Sequence, residues 1–184
     1  MRRILAASLF TLAACGAATE AESSRSSTPP AQVIPTGDGF HVSTTAESRT
    51  LKHDVNAPMP RVWAVLPEVY QDIGLRGTAD ATIRTVSSGS VSFTRRMMGE
   101  PVTRFFDCGR GQFGAEIAAT HTIQLTVRTT VQPGDTPESS KLETVVQAYA
   151  RNNDGANAVL AQCHTKGVLE SFIALRVIEK LGGG

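Results

Sequence analysis

No hydrophobic run in the chain is long enough to cross a bilayer: the most apolar stretch, Ile4 to Leu12, has secretory rather than spanning length. Several short patterns that announce chemistry are also missing. There is no Cys-x-x-Cys to exchange dithiols, no His-Glu-x-x-His or His-x-His to hold zinc, and no Gly-x-Ser-x-Gly to carry an activated serine. Charge of one sign is lacking as well. Lys and Arg number 18 against 17 Asp and Glu, which leaves no basic stripe to release counterions from phosphates and excludes nucleic acid as a partner.

What is present begins at the N-terminus. Arg2 and Arg3 precede the apolar run, and the small residues Ala13 and Ala14 lead into Cys15, the layout of an export signal. Leu12-Ala13-Ala14-Cys15 resembles the lipobox of bacterial lipoproteins, an aliphatic residue and two small ones before a cysteine. The resemblance implies cleavage before Cys15, then a diacylglyceryl thioether and an N-acyl chain such as palmitate on that residue. Two or three acyl chains, at about 0.8 kcal/mol per buried methylene, anchor durably where one holds marginally. An ordinary signal peptide cut at another small-residue site would instead discard Cys15. Gly16 stands where an Asp would argue for inner-membrane retention, so in a two-membrane source the resemblance implies the periplasmic face of the outer membrane.

Residues 1–14 are thus read as signal peptide, 15–47 as a lipidated cysteine with an Ala/Ser/Thr/Pro tether, and 48–184 as one domain. Loss of Arg2 and Arg3 takes the formal charge from +1 to −1. The tether has too few bulky apolar residues to offset its ordering entropy, and its root-mean-square span is roughly 30 Å. Val33-Ile34 and Phe40-His41-Val42 are its only points for local packing. With Cys15 assigned to lipid, Cys108 and Cys163 remain in an oxidising compartment and are expected to pair. The pair would close a long loop, contributing roughly 3–5 kcal/mol on the chain-entropy account. A redox-active pair is the alternative, disfavoured by the spacing.

Hydrophobic periodicity gives the architecture. Leu51, His53 and Val55 alternate as a strand does. A helix opens with Pro60 in its first turn, repeats Val62, Val65, Leu66, Val69 and Ile73 on one face, and closes at Gly74-Leu75; Pro67 predicts a kink. Thr82–Val86 and Val91–Arg95 around Ser87-Ser88-Gly89-Ser90 read as a hairpin, and Val102–Cys108 as a further strand. Thr120–Val131 and Lys141–Arg151 read as the long antiparallel centre of the sheet. A short strand at Val159–Cys163 precedes a final helix, capped by Thr165, through Val168, Leu169, Phe172, Ile173, Leu175 and Ile178. The order β-α-β(n)-α predicts an α+β fold, a curved antiparallel sheet with two helices on one face. Asn56-Ala57-Pro58, Arg61-Val62-Trp63 and Ile73-Gly74-Leu75 resemble the opening of helix-grip domains, most of all that of a lipoprotein component of the outer-membrane β-barrel assembly machine. The resemblance covers Leu51 to Phe93 and implies the same fold.

Candidate chemistry is sparse. Gly109-Arg110-Gly111-Gln112-Phe113-Gly114 matches G-x-G-x-x-G, but the five residues before the long strand leave no room for a crossover helix, so a glycine turn is expected. His41, His53, His121 and His164 are the histidines; His53 and His121 are in phase with the apolar faces of their strands and would share a site only if those strands were adjacent, a hydrogen-bonded boundary histidine being the expected reading of each. Cys163 and His164, as strand neighbours, point to opposite faces. Glu100, Asp107 and Glu116 fall near turns. Arg84, Arg95, Arg96, Arg104 and Arg110, with Met97-Met98 beside them, form a positive excess that would suit anionic headgroups or an acidic partner, or a charge-protected strand edge.

No catalytic residue, metal or cofactor is expected. The function read from the sequence is a non-enzymatic envelope interaction or accessory module, joined to the membrane through Cys15 and engaging an envelope protein. The alternative is a lipid or small-ligand carrier with a cavity between sheet and helix, and a hydrolase with a polar cleft ranks third. Replacement of Cys15 (Cys15→Ala) is expected to stop lipid processing and release the mature chain from membranes; an unchanged membrane-bound mature form on detergent phase partition refutes the anchor.

Overall fold

A computed structural model describes the backbone of residues 32–36, 40–44, 50–111, 113–152 and 160–182, and side chains from residue 50 onward except 112 and 153–160. The signal peptide and Cys15 lie outside the described residues. Inside the stretch read as a tether, β1 (Gln32–Thr36) and β2 (Phe40–Thr44) pair antiparallel, Ile34 opposite Val42. The residues noted for local packing are the β-branched and aromatic types that favour strands, a signal diluted by the Ser/Thr/Pro composition around them.

The domain is α+β. In chain order it comprises β3 (Thr50–Val55), α1 (Met59–Asp72), β4 (Gly77–Asp80), β5 (Thr85–Ser88), β6 (Val91–Thr94), β7 (Arg96–Met97), β8 (Glu100–Pro101), a 3-10 turn (Val102–Arg104), β9 (Phe106–Asp107), α2 (Ile117–Thr120), β10 (Thr122–Pro133), β11 (Ser140–Arg151), β12 (Leu160–Thr165) and α3 (Val168–Gly182). Among the described residues no helix is long and apolar enough to cross a membrane.

The centre is the ribbon of β10 and β11, paired without a break from Thr122↔Arg151 to Pro133↔Ser140. Alternation places Ile123, Leu125, Val127 and Val131, with Leu142, Val146, Ala148 and Ala150, on one buried face. Each long strand is flanked by two short ones laid end to end. β5 and β6 both run antiparallel to β10, and β3 and β12 both run antiparallel to β11. β4 then borders β5, and β9 borders β12.

This corrects the expected hairpin at Ser87–Ser90. Ser87 opposes Arg128 and Val91 opposes Leu125, so Ser88, Gly89 and Ser90 face only Thr126 and Val127. One extra residue in a continuing strand is a β-bulge. The Ser88 hydroxyl accepts the Val127 N–H at 2.8 Å, replacing the ladder bond that the bulge removes. Gly and Ser serve bulges as readily as turns, and the choice between them lies with β10, whose edge accepts both flanks. The strand expected over Val102–Cys108 is likewise shorter, reduced to β9 behind the 3-10 turn.

Both long helices cover the buried face. Val62, Leu66, Val69 and Tyr70 of α1 and Leu169, Ile173, Ala174 and Val177 of α3 are buried against it. At the end of α1, Leu75 N–H bonds the Tyr70 carbonyl and Gly74 N–H the Gln71 carbonyl, with Gly74 at φ +77°, the paired closure that needs a left-handed residue. Tyr70 joins helix to sheet: its hydroxyl donates to Thr129 Oγ1 at 2.8 Å, and Thr129 Oγ1 meets Thr144 Oγ1 at 3.0 Å. Gly77 leaves room for this ring, since a Cβ there would lie 2.9 Å from Tyr70 Cδ1.

Burial holds the Tyr70 phenol protonated far above the usual tyrosine range, and the bond to Thr129 offsets that only in part. An unfolded tyrosine ionises near pH 10, so the native state keeps its proton longer and stability is expected to fall as pH rises beyond about 10. In urea titrations at neutral pH, Tyr70→Phe should lose about 1 kcal/mol and flatten that alkaline decline; an unchanged decline removes Tyr70 as its cause.

Candidate functional site

The two sulfurs of Cys108 and Cys163 are bonded, with the Cα atoms 4.0 Å apart. Register explains the pairing. His164 opposes Asp107, so the preceding Cys163 meets the following Cys108 directly across β12 and β9. Asp107 Oδ1 accepts the Gly109 N–H at 2.9 Å, and the glycine segment turns back with Gly109 and Gly114 at positive φ. Gly111 N–H bonds the Ala115 carbonyl and Ile117 N–H the Gly109 carbonyl. Every pairing in the sheet among the described residues is antiparallel and α2 spans four residues, so the segment is a turn, without the parallel strand and helix a dinucleotide needs. Phe113 projects from it, 95% exposed. A depression of about 90 Å³ beside the disulfide is bordered by Asp107, Arg110, Glu116 and Lys166, whose Nζ donates to the Thr103 carbonyl at 2.7 Å.

The histidines do not converge. His53 opposes Leu142, whereas His121 precedes Thr122, which opposes Arg151 at the other end of β11; nine or more residues along a strand separate them by roughly 30 Å. His53 Nε2 meets Ser171 Oγ at 3.3 Å under α3, and its Nδ1 is buried without a partner among the described residues. His121 Nδ1 meets Thr120 Oγ1, and the side chain of His41 lies outside the described residues. Among the described residues no three His, Cys, Asp or Glu side chains are placed to hold a metal.

The arginine excess divides as well. Arg84 accepts the Val131 N–H through its carbonyl at one end of β10, while Arg95 follows Thr94, opposite Thr122 at the other. Arg104 pairs with Glu100 at 3.0 Å, Arg96 donates to the Gly99 carbonyl and Arg110 to the Gly114 carbonyl. Met97 is buried, and the Met98-Gly99 turn between β7 and β8 has positive φ at both residues. Thr165, expected to cap α3, stands just ahead of it: its hydroxyl accepts the Gly167 N–H and donates to the buried carboxylate of Glu170.

The feature that sequence patterning did not isolate is the opposite face of the sheet. Here Thr126, Arg128, Gln147 and Tyr149 are exposed. At the bulge this face sinks into an open depression of about 300 Å³, lined by Ser87, Ser88, Thr126, Val127, Arg128, Val145 and Gln147. Its signal was the alternating polar set Gln124, Thr126 and Arg128; without the bulge assignment nothing marked a concavity. Among the described residues no carboxylate pairs with Arg128, since Glu143 on the same face is engaged by Lys52 at 3.6 Å and by Gln132 at 2.9 Å.

The sequence separation of 55 between the bonded cysteines predicts a disulfide contribution of about 4 kcal/mol. Thiol titration of the oxidised chain should find neither Cys108 nor Cys163 free, and reduction should lower the unfolding free energy by that amount; two reactive thiols before reduction contradict the pairing. No known protein family profile matches the chain, and no curated protein sequence matches it.

Proposed function

We propose that this chain is an exported lipoprotein, held at the envelope through Cys15, whose α+β domain serves as an interaction or accessory module and performs no reaction of its own. The observation that carries the interaction reading is the one-sided sheet. Helices bury one face, and the other offers a depression whose Arg128, Thr126 and Gln147 side chains have no hydrogen-bond partner among the described residues. Polar groups left open in a concave place are what recognition uses.

Two further arrangements support the reading. The His53–Ser171 contact resembles half of a nucleophilic relay, but among the described residues nothing bonds His53 Nδ1 to orient the ring. The space that a carrier would keep open between helix and sheet is occupied by Leu66, Tyr70, Leu169 and Ile173, each fully buried. Native mass spectrometry of the full chain, extracted gently from membranes, tests the reading. The expected spectrum has the acylated chain with a further bound component, and Thr126→Trp, which fills the depression, removes that component. A bare chain from the unaltered protein overturns the module; a small lipid that survives Thr126→Trp replaces it with a carrier.

A further inference from the structure

We infer that the depression at the bulge, with the strip of sheet leading from it to Tyr149, binds a carboxylate-bearing saccharide; this rests on the module reading above and names its occupant. The strip is built in rows. Ser87, Arg128 and Val145 stand side by side across β5, β10 and β11; Thr126 and Gln147 form the next row, and Gln124, Tyr149 and Gln162 the one after. From Arg128 to the row of Tyr149 is four residues along β10, about 14 Å, a span of roughly two or three linked sugar rings.

The chemistry of the rows selects the ligand class. Hydroxyls and amides both donate and accept, so Ser87, Thr126, Gln124 and Gln147 can match sugar hydroxyls whichever way these point. Tyr149, 39% exposed, offers a flat aromatic face of the kind that packs against the C–H face of a pyranose ring. Its two cross-strand neighbours are both glutamines, Gln124 and Gln162, so hydroxyls at the rim of such a ring would meet amides. A protein partner would instead call for a broad desolvated apolar centre; here the aliphatic residues at the depression are Val145 and the buried Val127, set among hydroxyl, amide and guanidinium groups.

Charge selects further. Among the described residues Arg128 is the one charged residue lining the depression, and its guanidinium has no carboxylate partner there. Its fork fits a planar carboxylate with two parallel N–H donors. Arg151, exposed on the same face one row beyond Tyr149, provides a second cation at the far end. Cations at the two ends of a neutral polar strip match a chain whose acidic groups recur at intervals, rather than a compact multiply charged phosphate.

Calorimetric titration of the full chain with tetramers of galacturonic acid and of galactose tests this. The acidic tetramer is expected to bind at least about tenfold more tightly than the neutral one, as a hydrogen bond to a charged group would give. Arg128→Gln should abolish most of that preference, Tyr149→Ala should weaken both tetramers about fivefold, and Arg176→Gln, which removes an exposed cation on α3 at the other side of the sheet, should change neither. Circular dichroism of each variant establishes that it is folded. Absence of binding by either tetramer, equal binding of the two, or an equal loss in Arg176→Gln overturns the inference. If native mass spectrometry still finds a component that Thr126→Trp displaces, the module reading survives that loss.

Discussion

The register of β10 against β11 is the constraint to which the rest of the domain is referred. Strand side chains alternate, so a slip of one residue would turn Ile123, Leu125, Val127 and Val131 out to water together. At about 1.5–3 kcal/mol for each such side chain, the penalty is on the order of 10 kcal/mol. Polar groups reinforce what the apolar ones set. Thr129 and Thr144 are direct partners on the buried face, and their hydroxyls satisfy one another and Tyr70 only in this register. Buried hydroxyls without partners would be costly, so α1 is tied to the same alignment as the sheet.

Length has a second consequence. β10 and β11 span twelve residues each, more than any other strand among the described residues, so each outer edge is completed by two shorter segments. Where segments meet, the pleat breaks. On the β10 edge the break is the Ser88-Gly89-Ser90 bulge, which opens the depression on the helix-free face. On the β11 edge β12 meets β3 end to end, and β12 is in turn fastened to β9 by the disulfide. β9 is only two residues long, too short to be held by ladder bonds alone, and the covalent link keeps the 3-10 turn and glycine segment against the sheet.

Salt bridges contribute differently. Lys180 reaches both Glu68 and Asp72 across the two long helices, and those carboxylates raise its pKa. Its ammonium is solvated, so the bridge orients α3 against α1 more than it stabilises the pair. The polar groups enclosed in the interior include the Tyr70–Thr129–Thr144 chain, Glu170, Nδ1 of His53 and Ser140, whose hydroxyl donates to the Ala57 carbonyl at 2.8 Å. The outer face instead carries the exposed polar side chains Thr126, Arg128 and Gln147.

Local pattern was sufficient for α1 with its glycine closure, for the β10–β11 ribbon and for α3, because each depends on neighbours a few residues away: helical or alternating hydrophobicity and a left-handed glycine. It was also sufficient to expect antiparallel order with helices on one side, and to read the glycine segment as a turn. Pairing at long range decided the remainder. Ser-Ser-Gly-Ser suits a turn and a bulge equally, and only the open edge of β10 made it a bulge. His53 and His121 share a periodicity yet stand at opposite ends of the sheet, and the arginines that cluster in the chain are parted by the length of β10. Spacing along a chain reports which face a side chain takes, whereas proximity between strands depends on which edges remain unpaired when the sheet closes, and that is a property of the whole fold.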